Sequence, residues 1–241
     1  MSPLSFPLCS EMTRDMRVLV RPEERTLLLE PQPRQEELFL LVAVFSAPGN
    51  SLARETIRRT WGGQLRSRPG VRLVFVLGTT SERDVEVNCL VIIVRTEICR
   101  QESTFEEAWQ QNDVLIESFS DTYQNLTLKT TFLLKWLTQA HHSPPKFILK
   151  VDDDVFVNPE TLWSTLQSPP LRSAKLKLKD TNTTDVQYSI IGRMIKYGRP
   201  FRSPDSKWYL PPTQYPGSML PRFISGPAYI FTGSLLQGLY R

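Results

Sequence analysis

The sequence predicts an α/β fold with a largely parallel central sheet flanked by helices. Predicted strands alternate with predicted helices from residue 38 to 167, a pattern typical of such folds. The strands read as apolar runs, and three carboxylates follow one of them, at the edge where such sheets bind ligands. We divide the chain into a poorly ordered leader, residues 1–37, and one domain over residues 38–241.

The first predicted strand covers residues 38–45, which form a buried apolar run. Residues 46–50 interrupt it with proline and glycine, and a helix capped by Asn50 or Ser51 then continues through Trp61. The apolar face of this helix includes Ile57 and Trp61. Three arginines are predicted to point away from that face: Arg54, Arg58 and Arg59.

The remaining elements follow from apolar periodicity and from Pro and Gly breaks. In chain order they are strands over residues 71–77 and 89–94, helices over 102–119 and 127–140, a strand over 146–151, a short helix from Pro159 and a strand over 186–192. The tail from Tyr197 is rich in Pro, Gly, Tyr and Trp, which predicts loops.

Three consecutive carboxylates, Asp152 to Asp154, lie between the strand at 146–151 and the apolar residues 155–157. In a partly desolvated place like charges need a cation or hydrogen-bond donors, and a hard divalent metal meets that need. In an extended chain Asp152 and Asp154 face the same way and can address one metal, while Asp153 braces the loop. The alternative is an exposed acidic turn, which the apolar flanks disfavour.

Composition and motifs exclude several classes of function. The net charge of +4 and pI of about 9.0 suit anionic ligands such as nucleotides, but no basic block predicts nucleic-acid binding. An EF-hand loop, a G-x-G-x-x-G fingerprint and a P-loop are absent from the sequence. The longest apolar run, residues 38–45, is far short of the roughly 20 residues that span a membrane, so no membrane segment is visible.

Cysteines and glycosylation acceptors bear on the cellular compartment. Cys89 and Cys99 can form a disulfide in a secretory protein, which leaves Cys9 unpaired; the alternative is that the cysteines are buried free thiols. Asn125 and Asn182 stand in N-x-T acceptor motifs and favour the secretory route, although Asn125 can equally cap the following helix.

Five motifs stand in order within residues 38–241. They read RETIRRTWG at 54–62, DTYQNLTLKT at 121–130, FILKVDDDVFVN at 147–158, KWY at 207–209 followed by YP at 215–216, and SGPAY at 225–229. This set resembles the β-1,3-galactosyltransferase and β-1,3-N-acetylglucosaminyltransferase family, glycosyltransferase family 31.

The resemblance implies a GT-A type, Rossmann-like nucleotide-diphosphosugar transferase fold. It implies a hexosyltransferase that moves galactose or N-acetylglucosamine, with inversion, from a UDP-sugar to a glycan acceptor on a glycoprotein or glycolipid, forming a β-1,3 bond. It further implies Mn²⁺ as the metal and a type II, signal-anchored protein on the lumenal face of the Golgi membrane.

Site residues carried over from the family fall into three groups. The metal is assigned to Asp154 and Asp152, and the nucleotide side to Arg54, Arg58, Lys150, Asp152 and Asp153. The sugar or acceptor side is assigned to Trp208, Tyr209, Ser225 and Gly226, the last two in a tight turn. Structural alternatives remain for most of these residues: the two helix arginines can be solvated, and the aromatic residues can fill the core. Lys129, in the second motif, can simply pair with a carboxylate.

The sequence departs from the family at several places. The family's acidic Glu-Asp-Val motif, which supplies the general base of an inverting transfer, has no match before Arg241, and neither does a later metal-binding histidine. We therefore expect an incomplete C-terminal part, no general base and impaired catalysis. We expect no anchor helix in the leader, where the family has one. Residues 89–100 have no family counterpart, and residues 220–224 differ from the usual Y-P-P-Y-C.

Two other functions stay open at this point. A non-catalytic relative would bind a UDP-sugar or carbohydrate without transfer. A metal-dependent nucleotidyltransferase would cleave between phosphates, but the sequence has no Gly-rich phosphate loop to support it.

Overall fold

The computed structural model describes residues 18–20, 38–79, 98–140, 144–168 and 190–240. The strands are β1 (Val18–Val20), β2 (Leu40–Phe45), β3 (Val71–Thr79), β4 (Val114–Ser120), β5 (Phe147–Asp152), β6 (Ile190–Ile195) and β7 (Phe223–Thr232). The α-helices are α1 (Ser51–Arg59), α2 (Trp61–Arg66), α3 (Ile98–Gln111), α4 (Leu126–Ala140), α5 (Pro159–Gln167) and α6 (Leu236–Tyr240). Single 3₁₀ turns at Tyr123–Asn125 and Gly233–Leu235 precede α4 and α6.

The described strands form one sheet in the order β1-β4-β3-β2-β5-β7-β6. Strands β4, β3, β2 and β5 are parallel, β1 is antiparallel to β4, and β7 is antiparallel to both β5 and β6. The predicted α/β class with a largely parallel centre is confirmed. Because β2 pairs on both edges, its carboxyl end lies in the middle of the sheet edge where ligands bind.

Helices cover both faces of β2, whose side chains alternate between the two faces. One face packs against α1, α2 and α5, through Leu40, Val42, Val44, Ile57, Trp61 and Leu166. The other face packs against α4 and α6, through Leu41, Ala43, Phe45, Phe132, Leu133, Trp136 and Leu236. All six residues of β2 are buried, which explains its unbroken apolar sequence.

The helix predicted over residues 102–119 is wrong in its second half. Helix α3 ends at Gln111, Asn112 takes a positive φ of 49°, and β4 begins at Val114. The run Val114 to Ile116 is fully buried in the sheet, which β-branched residues favour. Trp109, an apolar residue near the end of α3, is 79% exposed.

The tail from Tyr197 was predicted as loops, yet it contains β7, the longest strand described. Opposite β6, Gly192 faces Tyr229 and Met194 faces Ile224, so β7 carries extra residues at this point. Gly226 and Pro227 lie in this bulge. A bulge tolerates both the absence of a side chain at Gly226 and the absence of a backbone N–H at Pro227. The predicted tight turn at Ser225 and Gly226 is therefore a strand bulge.

Several predicted features lie outside the described residues: the strand at 89–94, residues 186–189 of a strand that is seen from Ile190 as β6, the side chains of the three cysteines, and Asn182. The boundary between leader and domain stays a prediction, although Val18–Val20, within the predicted leader, pair with β4. Among the described helices, none is both long and apolar enough to cross a bilayer.

Candidate functional site

The Asp triplet lies at the carboxyl end of β5, beside the end of β2. Asp152 is the last residue of β5 and pairs in register with Phe45, the last residue of β2. The next residue, Asp153, continues this contact because its backbone N–H donates to the Phe45 carbonyl at 3.1 Å. The triplet thus occupies the central part of the ligand-binding edge of the sheet, as predicted.

The three carboxylates have three different environments. The Asp153 carboxylate accepts hydrogen bonds from Ser46 Oγ at 2.7 Å and Asn50 Nδ2 at 2.8 Å. Asp152 accepts from the Lys150 ammonium, while Asp154 is exposed and receives no hydrogen bond from any residue that the structure describes. Asp153 therefore braces the loop, as expected, and Asp154 is the carboxylate left open to a ligand.

Two buried ammonium groups offset the charge of the triplet. Lys150 Nζ contacts Asp152, donates to the Gly226 carbonyl at 2.9 Å and lies 4.7 Å from the centre of the Phe45 ring. Burial raises the pKa of the Asp152 carboxyl; the Lys150 hydrogen bond opposes this shift, and the neighbouring Asp154 and Asp153 charges add to it. The bulge of β7 thus places a backbone carbonyl that holds Lys150 against Asp152.

Lys129 of α4 is the second ammonium. Its Nζ lies 2.6 Å from Asp121 Oδ1 and donates to the Ser46 carbonyl at 2.8 Å. Burial lowers the pKa of Lys129, while the charges of Asp121, Asp153 and Asp152 act in the opposite direction. Asp121 also accepts from the Gly78 N–H at 2.9 Å. This one pair ties the carboxyl ends of β2, β3 and β4 together, and the alternative that Lys129 pairs with a carboxylate is confirmed.

Arg54 and Arg58 belong to a buried ion-pair cluster beside the site. Arg54 is 0% exposed, and its Nε and Nη2 donate to the two oxygens of Glu107 at 2.9 and 2.6 Å. Arg58 Nη2 lies 2.7 Å from both Glu107 and Asp113. Neither arginine is solvated, and Arg54 has no surface that a nucleotide could touch in this structure. Arg54 instead holds the loop after β2, through Ser46 and the Ala47 carbonyl.

The residues assigned to the sugar or acceptor side lie in two places. Trp208 and Tyr209 are exposed in the segment before β7, and Ser225 and Gly226 lie within β7. Trp208 is 52% exposed and contacts Phe201, with 5.2 Å between ring centroids. Lys207 lies over both the Trp208 ring, at 4.6 Å, and the Tyr123 ring, at 5.3 Å. Trp208 and the 40% exposed Tyr209 do not fill the core, so the alternative of core aromatics is wrong for both.

The sequence did not predict the contacts that three further residues make at this site. Ser46 and Asn50 hold Asp153, and Glu107 holds Arg54. Ser46 immediately follows a buried strand in the central sheet, and that position is the signal that could have identified it. The contact with Glu107 joins residues 53 positions apart, which no local pattern reveals.

A sequence profile described as galactosyltransferase matches residues 52–241 of the chain. The chain belongs to the galactosyltransferase family. Similar proteins include human β-1,3-galactosyltransferase 2, which is 32% identical over 219 residues, 89% of this chain and 45% of that protein. Rat UDP-GlcNAc:βGal β-1,3-N-acetylglucosaminyltransferase 7 is 33% identical over 218 residues, 89% of this chain and 48% of that protein.

Human acetylgalactosaminyl-O-glycosyl-glycoprotein β-1,3-N-acetylglucosaminyltransferase is also similar, 36% identical over 205 residues, 84% of this chain and 47% of that protein. The galactosyltransferase-family chain spans about half the length of these relatives. The resemblance to the β-1,3-glycosyltransferases is confirmed, and the mixed sheet with helices on both faces is consistent with the GT-A type fold.

The acceptor motif at Asn125 lies in the 3₁₀ turn before α4 of this galactosyltransferase-family chain. The Asn125 Nδ2 donates to the Ser120 carbonyl at 2.8 Å, and the residue is half-buried. The amide nitrogen that would carry a glycan thus already holds the end of β4. Glycosylation of Asn125 stays a prediction.

The ion pairs of Glu107 predict how the stability of the chain depends on pH. Burial raises the pKa of Glu107, but hydrogen bonds from Arg54 and Arg58 outweigh burial, so the pKa lies below the ordinary value of 4.5. A lowered folded-state pKa gives stability that is present above the unfolded-state value and lost as the pH falls through the folded-state value. The free energy of unfolding should therefore fall as the pH drops below 4.5.

Urea unfolding between about pH 7 and pH 3 measures this effect. The Glu107→Gln variant, which does not titrate at this position, should lose less stability over the same acid range than the parent chain. Asp113, which also contacts Arg58, is present in both proteins, so the comparison changes only residue 107. Parallel curves for the two proteins would show that Glu107 does not contribute to the acid dependence.

Proposed function

We propose that the chain forms the donor-binding part of a β-1,3-hexosyltransferase. The enzyme would transfer galactose or N-acetylglucosamine, with inversion, from UDP-galactose or UDP-N-acetylglucosamine to a glycan of a glycoprotein or glycolipid. One observation carries the proposal: at the ligand-binding edge of a galactosyltransferase-family sheet, Asp154 is left exposed while Asp153 and Asp152 are held internally.

The donor set fits a hard divalent cation such as Mn²⁺. Asp152 and Asp154 offer carboxylate oxygens, the ligands that such cations prefer. Among the described residues, no group of three or more His, Cys, Asp or Glu side chains could hold a metal by itself. Cations of this kind are often held by one or two carboxylates plus substrate phosphates, so we expect metal and UDP to bind together. When bound, the cation would neutralise negative charge on the diphosphate leaving group.

The chain's own residues hold and orient the donor in this proposal. Lys150 fixes the carboxylate of Asp152 and links it to β7 at Gly226, while Asp153 fixes the loop. The exposed Trp208 and Tyr209 would offer flat apolar surface to a sugar ring. We assign no general base among the described residues.

The proposal also concerns which sugar is transferred and where in the cell the whole protein is located. The relatives' names include both galactosyl and N-acetylglucosaminyl transfer, and the donor site described here favours neither. We propose the lumenal face of the Golgi membrane as the location and a type II signal anchor as the attachment of the whole protein, because the family resemblance implies both.

Calorimetry of UDP binding tests the donor site. UDP should bind in the presence of MnCl₂ and lose most of its affinity when EDTA replaces the metal, whereas uridine, which lacks the diphosphate, should bind weakly in both conditions. Equal UDP affinity with and without metal would overturn the proposed role of the Asp triplet. Product analysis with UDP-galactose and UDP-N-acetylglucosamine then separates a transferase, which releases UDP and a glycoside, from a relative that only binds the donor.

A further inference from the structure

The Ser46 side chain lies where three elements of the candidate site meet. It follows β2 directly, is 3% exposed, and contacts α1 through Arg54 and the Asp triplet through Asp153. We infer that Ser46 is a positioning residue of the donor site, oriented by the buried Arg54–Glu107 pair. The inference rests on the proposed function, because it concerns how the same site presents its carboxylates.

Hydrogen-bond accounting at Ser46 supports one orientation of its hydroxyl. Arg54 Nη1 donates to Ser46 Oγ at 3.1 Å and so occupies a lone pair of the oxygen. The hydroxyl has a single proton to donate, and Asp153 Oδ2 lies 2.7 Å away, whereas the competing Ala47 carbonyl lies 3.5 Å away. The Ser46 proton is therefore directed to the Asp153 carboxylate, and a charge-assisted bond of this kind is stronger than a neutral one.

The Arg54 guanidinium that orients Ser46 is itself held on every side. Two of its nitrogens bind Glu107, and Nη1 also donates to the Ala47 carbonyl at 2.6 Å. Nη2 additionally lies 3.3 Å from the Pro48 carbonyl. The arginine thus fastens three consecutive residues of the loop after β2, and it does so from a fully buried position.

The Ser46 backbone is fixed as well as its side chain. Its carbonyl accepts from Lys129 Nζ at 2.8 Å, and its N–H donates to the Val76 carbonyl at 3.2 Å. Ser46 is therefore held by residues of α1, α4 and β3, and its hydroxyl in turn holds the carboxylate of Asp153. Because Asp153 stands between Asp152 and Asp154 in the chain, fixing its side chain and its N–H restricts the directions of both neighbours.

Asn50 provides a second and independent route to the same carboxylate. Its Nδ2 donates to Asp153 Oδ2 at 2.8 Å, and the residue is exposed. Asn50 precedes α1 without making a side-chain capping hydrogen bond, so its side chain can be removed without loss of a helix cap. A variant at Asn50 thus tests the positioning of Asp153 with little risk to folding.

The experiment measures UDP affinity in MnCl₂ and thermal unfolding for four variants: Ser46→Ala, Ser46→Thr, Asn50→Ala and Thr131→Val. Residues that orient a site from outside the ligand shell typically contribute about 10–100-fold in affinity, so Ser46→Ala should weaken UDP binding at least about tenfold. Asn50→Ala should weaken it several-fold, while Ser46→Thr, which keeps the hydroxyl, should retain most of the affinity. Thr131→Val is the control, since Thr131 is a buried hydroxyl that bonds within α4.

The outcomes distinguish a failure of this inference from a failure of the proposed function. Weaker binding by Ser46→Ala and Asn50→Ala, with unchanged affinity in Thr131→Val, supports the positioning role. If the parent chain binds UDP with metal and both variants bind equally well, the positioning inference alone is overturned. If Thr131→Val loses as much affinity as Ser46→Ala, general destabilisation explains the loss and the inference is wrong. Absence of UDP binding by the parent chain overturns the proposed function and the inference together.

Discussion

Replacement of Glu107 by alanine is expected to lower the free energy of unfolding by about 3–5 kcal/mol. The change removes the carboxylate partner of Arg54, whose side chain is 0% exposed, and a partner of Arg58, which is 9% exposed. A buried guanidinium without its counter-ion keeps the penalty of desolvation and loses the compensating attraction. Because Arg54 also donates to Ser46 and Ala47 in the loop after β2, the substitution should loosen that loop as well as the core.

Urea unfolding at neutral pH measures this difference in stability. The matched control is Glu106→Ala, the preceding residue of α3, which is the same residue type on the same helix and is exposed. Exposed substitutions of this kind usually change stability by less than about 0.5 kcal/mol. A loss below about 1 kcal/mol for Glu107→Ala, similar to that of its neighbour, would mean that the cluster is not the stabilising unit described here.

The Asp154→Asn substitution should weaken metal-dependent UDP binding by at least about 100-fold, because outer-shell residues alone contribute about 10–100-fold to such sites. The carboxylate of Asp154 is exposed and receives no hydrogen bond from the described residues, so the neutral amide should leave unfolding unchanged. The substitution removes one of the two proposed carboxylate ligands of the cation. The other protein ligand would be Asp152, and the diphosphate would supply further oxygen ligands.

Calorimetry in MnCl₂, paired with thermal unfolding, gives both quantities for Asp154→Asn. Asp205→Asn is the matched control, since Asp205 is also an exposed aspartate but lies in the turn before Trp208. The control should keep the affinity of the parent chain. Equal affinities for the parent chain and Asp154→Asn would remove Asp154 from the list of metal ligands and leave the proposed site without its open carboxylate.

The centre of the fold could be predicted because its signals are local. The residues of β2 form an unbroken apolar run that ends at a proline and a glycine, and α4 shows apolar residues at helical spacing. The position of the Asp triplet followed from the strand before it. The end of α3 could not be placed in the same way, because aromatic residues on both sides of Asn112 continue a helical spacing into β4.

Contacts between distant residues account for what the sequence could not predict. Arg54 was expected to be solvated or to touch the nucleotide, and its burial depends on a carboxylate 53 residues away. The strand β7 was hidden by its Gly and Pro, and it is stabilised by pairing with β5, far earlier in the chain. The contacts of Ser46 with Asp153 and of Lys150 with Gly226 likewise form only because β2, β5 and β7 lie side by side.

The pairing of β2 with β5 has a consequence for the synthesis of the chain. The hydrogen bond between Ser46 and Asp153 joins residues 107 positions apart. At a translation rate of about 5–20 residues per second, a ribosome needs about 5–20 s to make the intervening chain. During that time newly made β2 has one edge without its partner, and an unpaired apolar strand invites association with other chains. The candidate donor site therefore begins as an unpaired edge of the nascent polypeptide, and the synthesis of β5 both covers that edge and completes the site.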